Sequence, residues 1–336
     1  MKKKTILSIV ALLIVVLAIF GITKFVGAEG KGEGETVVVT HDSGETTVNK
    51  NSKRIVVFDF GILDSLDKLN VQGIVGVVQN GLPEHLSKFA GEEYSSVGSL
   101  KEPNMEKIFE LNPDLIIISG RQADYYEELS KIAPTINLSI DNKNYLESFE
   151  KNMNVLGKIF DKENEVKEEL TTIKEAISKL NSKATEKNIT GLIALANDGA
   201  FSVYGAESRF GIIHNNFGII PVDKNIEAST HGQKASFEYV LEKNPDYLFV
   251  VDRAAIAGGT ISAKELFDNE LMKKTDAYKN GNIIYLNPSI WYTATGGFTS
   301  TMKMVEEIVK FLRLFIFIKK NKIFNELTTK NISEVV

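Results

Sequence analysis

The sequence has no cysteine, which excludes disulfides, thiolate metal sites, iron–sulfur ligation and cysteine nucleophiles. It also excludes a lipid attached through an N-terminal cysteine. Histidine is sparse: His41, His85, His214 and His231 are the whole set, and none has the paired spacing of a zinc hydrolase. There is one tryptophan, Trp291. Arginine is scarce too, with five residues against 34 lysines. No Walker loop, no Gly-x-Ser-x-Gly elbow and no Gly-x-Gly-x-x-Gly fingerprint is present. The formal charge of −5 argues against a general nucleic-acid binder.

What is present is a globular chain of 336 residues, 43% hydrophobic and 25% charged. That length suggests two lobes. Lys2, Lys3 and Lys4 precede an uncharged, mostly apolar run from Thr5 to Ile22, the pattern of an export signal. Residues 1–28 therefore read as a signal peptide cleaved after Ala28 or as a retained membrane anchor, and the protein as extracytoplasmic, either tethered at the cell membrane or secreted. Cleavage would remove four lysines and no acids, taking the net charge to −9.

Residues 29–53 read as a Gly/Glu spacer and a short hairpin around Asp42-Ser43-Gly44. Short β-branched runs then alternate with helical stretches over 54–144, as expected of parallel α/β units. From 145 to 184, apolar residues recur at three- and four-residue spacing, predicting a long amphipathic connecting helix interrupted near Gly157–Asp161. Strands resume over 185–312, giving a second α/β lobe. Residues 313–336 form an atypical basic and apolar tail.

Within this rhythm lies an internal repeat. Met105–Arg121 and Phe237–Arg253 align at a constant offset of 132 residues. Glu106/Glu238, Asn112/Asn244, Pro113/Pro245, Asp114/Asp246 and Arg121/Arg253 coincide. Asn-Pro-Asp is a common way to stop a helix and start a strand, but that alone does not account for the matched glutamate and arginine at the two ends. Equivalent positions in two lobes do.

The arginines carry the chemistry. Arg121 and Arg253 follow buried strands, the edge where parallel α/β sheets bind ligands. Arg209 lies in the glycine-flanked loop Tyr204-Gly-Ala-Glu-Ser-Arg-Phe-Gly. Guanidinium offers a planar fork to anionic oxygens, so three converging arginines suit a small polyanion. The competing reading pairs them with nearby acids such as Asp252 or Glu207. Trp291 and Tyr292 sit in a loop after a strand, as a pocket wall or as local packing.

Val97-Gly-Ser-Leu-Lys-Glu-Pro-Asn-Met-Glu, both Asn-Pro-Asp segments and the stretch from His231 to Arg253 resemble the iron-siderophore binding proteins of ABC importers, most nearly the catecholate and petrobactin-type subgroup. The resemblance covers about residues 36–312. It implies a class III periplasmic-binding-protein fold, with two α/β lobes of mainly parallel sheet joined by a long helix, and a binding rather than enzymatic role. It implies that Arg121, Arg209 and Arg253, with Trp291 beside them, contact the siderophore. His231 and Tyr292 would complete the coordination of ferric iron, and Glu106 and Glu238 would dock on the permease. No intrinsic cofactor is expected, since ferric iron arrives as the siderophore complex. The expected partners are that complex, the permease and the membrane surface through the N-terminal segment, with no nucleic acid, and the protein is expected to be a monomer. Haem or cobalamin as cargo, or a non-transport sensor ectodomain, are the alternatives.

Overall fold

The computed structural model describes residues 34–312 apart from Thr230. The apolar N-terminal run, the Ala28 site and the tail 313–336 lie outside the described residues. Among the described residues no helix is long and apolar enough to cross a membrane.

The chain opens with an antiparallel hairpin, β1 (Thr36–His41) and β2 (Gly44–Asn49). A five-stranded sheet follows, built from β3 (Ile55–Val57), β4 (Ile74–Val77), β5 (Ser95–Ser96), β6 (Leu115–Ile118) and β7 (Thr135–Asn137), in the order β5-β4-β3-β6-β7. Every pairing in it is parallel. Strands β3 and β6 are buried along their whole length, which explains why they are continuous β-branched runs rather than alternating ones. Helix α1 (Phe60–Lys68) connects β3 to β4, with Asp59 accepting the Gly61 and Ile62 N–H groups as its N-cap. Helix α2 (Met105–Glu110) precedes β6 and is capped by Asn104.

The predicted connecting helix is two helices, α3 (Tyr145–Phe160) and α4 (Glu163–Glu186). The break falls inside the expected interval because Asp161 takes the left-handed conformation at φ 52° and ends α3. Beyond α4 lies a six-stranded sheet formed by β8 (Thr190–Asn197), β9 (Ala200–Tyr204), β10 (Ile220–Pro221), β11 (Gln233–Lys234), β12 (Tyr247–Asp252) and β13 (Ile283–Leu286). Its order is β11-β9-β8-β12-β13, with β10 beside β8. Strands β8, β12, β13 and β10 pair in parallel, whereas β9 and β11 are antiparallel. The antiparallel part was not expected from the sequence. Asp198-Gly199 turns β8 back on itself with both residues at positive φ, a two-residue hairpin. Helix α5 (Phe237–Lys243) precedes β12, and α6 (Phe298–Phe311) ends the described chain.

Helix α6 packs back against α1 and α4. Its first turn is tied to α1 by the buried Asp64, which accepts the Ser300 N–H at 2.7 Å and the Thr299 N–H at 3.3 Å. Gly61 of α1 touches the chain here so closely that a Cβ would sit 2.2 Å from the Thr295 carbonyl oxygen. Only glycine admits that approach, which fixes the segment running from Tyr292 into α6 against the N-terminal lobe.

Candidate functional site

A cavity of about 1150 Å³ lies between the lobes, where strands of both sheets end. That is the edge at which open α/β sheets bind ligands. Arg121 enters just after β6, in a helical turn whose start is fixed by reciprocal bonding between Ser119 and Gln122. Arg253 follows β12 directly, and Arg209 comes from the loop after β9. Tyr292 lies on a single wide helical turn, Ser289–Thr293, after β13.

These four residues form one cluster. Arg121 donates to the Tyr292 carbonyl oxygen at 2.6 Å, and Arg209 donates to the same atom at 3.2 Å. Arg253 donates through Nε to the Tyr292 hydroxyl at 3.1 Å and through a terminal nitrogen to Asn197 at 2.6 Å. The Arg209 guanidinium lies over the Tyr292 ring, 4.1 Å from its centroid. Among the described residues none of the three arginines is paired with a carboxylate. Glu207 bonds Lys143 instead, at 3.0 Å across the rim of the cavity. Asp252 accepts the backbone N–H groups of Ala255 and Ala263. The arginine charge is therefore met only by a ring face, carbonyl and amide oxygens and a hydroxyl.

The electrostatic consequence falls on Tyr292. Burial alone would raise its phenol, but the hydrogen bond from Arg253 and the fields of Arg209, Arg253 and Arg121 outweigh it and hold the pKa below the usual tyrosine value. Arg209 in turn is lowered, first by burial and then by the Arg121 charge. Such a site favours an anion and eases deprotonation of Tyr292 to the phenolate that a hard cation prefers.

His231 lines the same cavity from an exposed loop, with its backbone N–H on Ser229 Oγ at 3.2 Å. Trp291 is a correction. It does not face the cavity as a siderophore contact but is fully buried, edge-on to Phe217, and donates Nε1–H to Glu307 at 2.7 Å. The physical reason is the turn itself, which sends consecutive side chains in different directions. Trp291 goes into the core, where a buried indole N–H needs an acceptor, and Tyr292 goes to the cleft. Glu307 also accepts the Asn287 N–H at 3.0 Å, so one carboxylate braces the entry and the middle of the tyrosine turn. Glu106 and Glu238 do not line the cavity. Each is exposed at the second position of its helix, α2 and α5.

Sequence reasoning passed over Tyr204 and Asp59, both of which line the cavity. Tyr204 heads the arginine-bearing loop, but nothing in its spacing marks it apart from a strand residue. Asp59 caps α1 through one carboxylate oxygen and accepts Ser119 Oγ at 2.8 Å through the other.

Residues 55–290 match the family model described as periplasmic binding protein, and the chain belongs to that family. It is 48% identical over 311 residues to the petrobactin-binding protein YclQ of Bacillus subtilis (strain 168), covering 92% of this chain and 98% of that protein. The solved structure of YclQ matches with a TM-score of 0.81 over 83% of this chain and 99% of the other. The ferric-anguibactin-binding protein FatB of Vibrio anguillarum (strain ATCC 68554 / 775) is 34% identical, covering 82% of this chain and 87% of FatB. The periplasmic catecholate-siderophore binding protein VctP of Vibrio cholerae superposes with a TM-score of 0.78 at 35% identity, covering 82% of this chain and 100% of VctP.

Proposed function

We propose that this member of the periplasmic binding protein family captures a ferric catecholate-type siderophore in the cleft between its lobes and delivers it to the permease of an ABC importer. The observation that carries the reading is the cluster of Arg121, Arg209 and Arg253 from both lobes around Tyr292, with no carboxylate among the described residues to neutralise it. A ferric catecholate complex is anionic and presents hard oxygens, which guanidinium groups offset at close range in a partly desolvated cleft. YclQ, FatB and VctP, whose names record ferric or siderophore ligands, support the same cargo class.

Ferric iron prefers six donors. A siderophore supplying four leaves two positions, which the Tyr292 phenolate and the His231 imidazole fill in this reading. Iron is cargo here, not a resident cofactor. Glu106 and Glu238, one on each lobe at equivalent helix positions, form the docking pair for the permease. The N-terminal segment either holds the protein at the outer face of the membrane or is removed after Ala28.

Trp291 provides the test, since it adjoins Tyr292 and is the sole tryptophan. Its fluorescence should be quenched saturably by ferric petrobactin, a ferric bis-catecholate or a ferric tris-catecholate, and not by a ferric hydroxamate. A folded protein that shows no quenching by any catecholate complex would remove the siderophore reading. In the same titration, the paired substitutions His231→Ala and Tyr292→Phe should cost the tetradentate complex about tenfold more affinity than the hexadentate one. Equal losses would deny the two side chains a coordination role.

A further inference from the structure

Tyr204 closes β9, where it pairs with Ile193 of β8. Its ring lies edge-on to Phe210, with centroids 5.0 Å apart. The side chain is only 1% exposed, yet among the described residues its hydroxyl has no hydrogen-bond partner. Buried phenols normally find one, and an unpaired hydroxyl in a packed interior calls for a specific explanation. The residue is part of the cavity wall that also holds Arg209, Arg253 and Tyr292. Gly232, next to His231, lies over the hydroxyl end of the ring. A Cβ there would come within 2.7 Å of Cζ, and its φ of +71° suits glycine.

We infer that the Tyr204 hydroxyl is a hydrogen-bond donor to a metal-bound, anionic oxygen of the cargo, and so a specificity-determining residue of the cleft. This rests on the reading of the cleft as a ferric-siderophore site. The argument is one of complementarity. The three arginines supply charge, and a fourth cation beside them would add repulsion. A neutral phenol adds a directional donor at no cost in charge. The two tyrosines of the cleft are set apart by their surroundings. The Tyr204 hydroxyl is buried without a partner among the described residues and so has a proton left to give, whereas the Tyr292 hydroxyl already accepts from Arg253 at 3.1 Å. One tyrosine is suited to donate a proton to an oxygen and the other to donate an electron pair to the metal.

The experiment is Tyr204→Phe in the full-length protein, which keeps the ring against Phe210 and beneath Gly232 and removes only the hydroxyl. Binding of ferric petrobactin and of a ferric tris-catecholate is read by Trp291 quenching, and thermal stability is read without cargo. The expected result is a loss of about five- to tenfold in affinity for ferric petrobactin. The melting temperature of the cargo-free protein should be unchanged or higher, because an unpaired buried hydroxyl has been removed. The pairing of weaker binding with undiminished stability is what a purely structural tyrosine would not give. Unchanged affinity for ferric petrobactin with the wild type binding normally overturns this inference alone, and is what a water-bonded hydroxyl would produce. Equal losses for the petrobactin and tris-catecholate complexes overturn the specificity role. A wild type that binds neither complex overturns the siderophore reading and this inference together.

Discussion

At the foot of β6, Asp114 accepts the Lys53 and Arg54 backbone N–H groups, at 2.8 and 2.9 Å, from the start of β3. At the foot of β12, Asp246 accepts the backbone N–H and hydroxyl of Thr190, at 3.0 and 2.6 Å, from the start of β8. In both lobes the preceding asparagine takes the left-handed conformation, Asn112 at φ 45° and Asn244 at φ 39°. The repeated Asn-Pro-Asp thus has one job performed twice. Asparagine stops the helix, proline enters the strand, and aspartate pins the neighbouring strand in register. The lobes part company on the far side of that neighbour. In the N-terminal lobe β3 is flanked by β4 after a helical crossover, and the arginine this lobe gives the cavity, Arg121, comes from the other side of β3, after β6. In the C-terminal lobe β8 turns straight into the antiparallel β9, and the chain around it contributes Tyr204, Arg209 and His231. A shared frame places one arginine per lobe, and the departure from the frame brings Tyr204, Arg209 and His231 to the cavity wall.

That comparison is most exposed to the arginines themselves. Arg209→Met should reduce affinity for ferric petrobactin by about a hundredfold, because it removes the desolvated guanidinium stacked on Tyr292 and one donor to its carbonyl. Arg121→Met, which leaves that stack in place, should cost about tenfold. Calorimetric titration of both variants decides. If Arg121→Met is as damaging as Arg209→Met, the N-terminal wall selects cargo as strongly as the other, and the asymmetry fails.

The shared frame makes a second, smaller prediction, this time about stability. Asp114→Ala strands two backbone N–H groups at a half-buried position, whereas Asp246→Ala strands one N–H and a hydroxyl at an exposed one. Urea denaturation should show losses of about 2 kcal/mol for Asp114→Ala and about 1 kcal/mol for Asp246→Ala. Wild-type stability in both variants would mean that the motif is conformational shorthand and that the aspartate clamps carry nothing.

How far these features could be read from residues alone follows the same division. The frame was legible because it is local. Buried parallel strands are unbroken apolar runs, and the 132-residue repeat alone places Arg121 and Arg253 at strand ends. The break between α3 and α4 was legible for the same reason. What escaped was non-local. β11 is two residues long, and its pairing with β9 leaves no periodicity to detect. Trp291 was misplaced because adjacency to Tyr292 says nothing of which side of a wide turn each ring takes. The acceptor that decides it, Glu307, lies 16 residues on. Tyr204 carries no signal except burial without a partner, which exists only in the folded molecule.

The smallest effect concerns protons away from the cleft. In the C-terminal lobe, His214 is buried and bonds through Nδ1 to the Ile219 carbonyl oxygen at 2.8 Å, and burial lowers its pKa. In the N-terminal lobe, His85 is also lowered by burial, but it stands 3.8 Å from Asp64, whose own pKa burial raises. The signs differ. A histidine held neutral in the fold stabilises above its unfolded pKa of 6.5 and loses that contribution as pH falls below it, since the unfolded chain takes the proton first. A carboxyl with a raised pKa acts oppositely, because the folded chain takes its proton first and gains relative stability as pH falls. The Asp64 charge also draws the His85 pKa part of the way back toward its ordinary value, and among the described residues no acid does so for His214. His41, lowered chiefly by burial, adds to the loss on the acid side from the hairpin. Urea midpoints measured from pH 7.5 down to 5.5 should fall, with no single histidine contributing more than about 1.4 kcal/mol per pH unit. His214→Gln should flatten that slope more than His85→Gln does. The reverse order would show that Asp64 does not compensate its neighbour, and would put the more acid-sensitive packing in the lobe with the regular sheet.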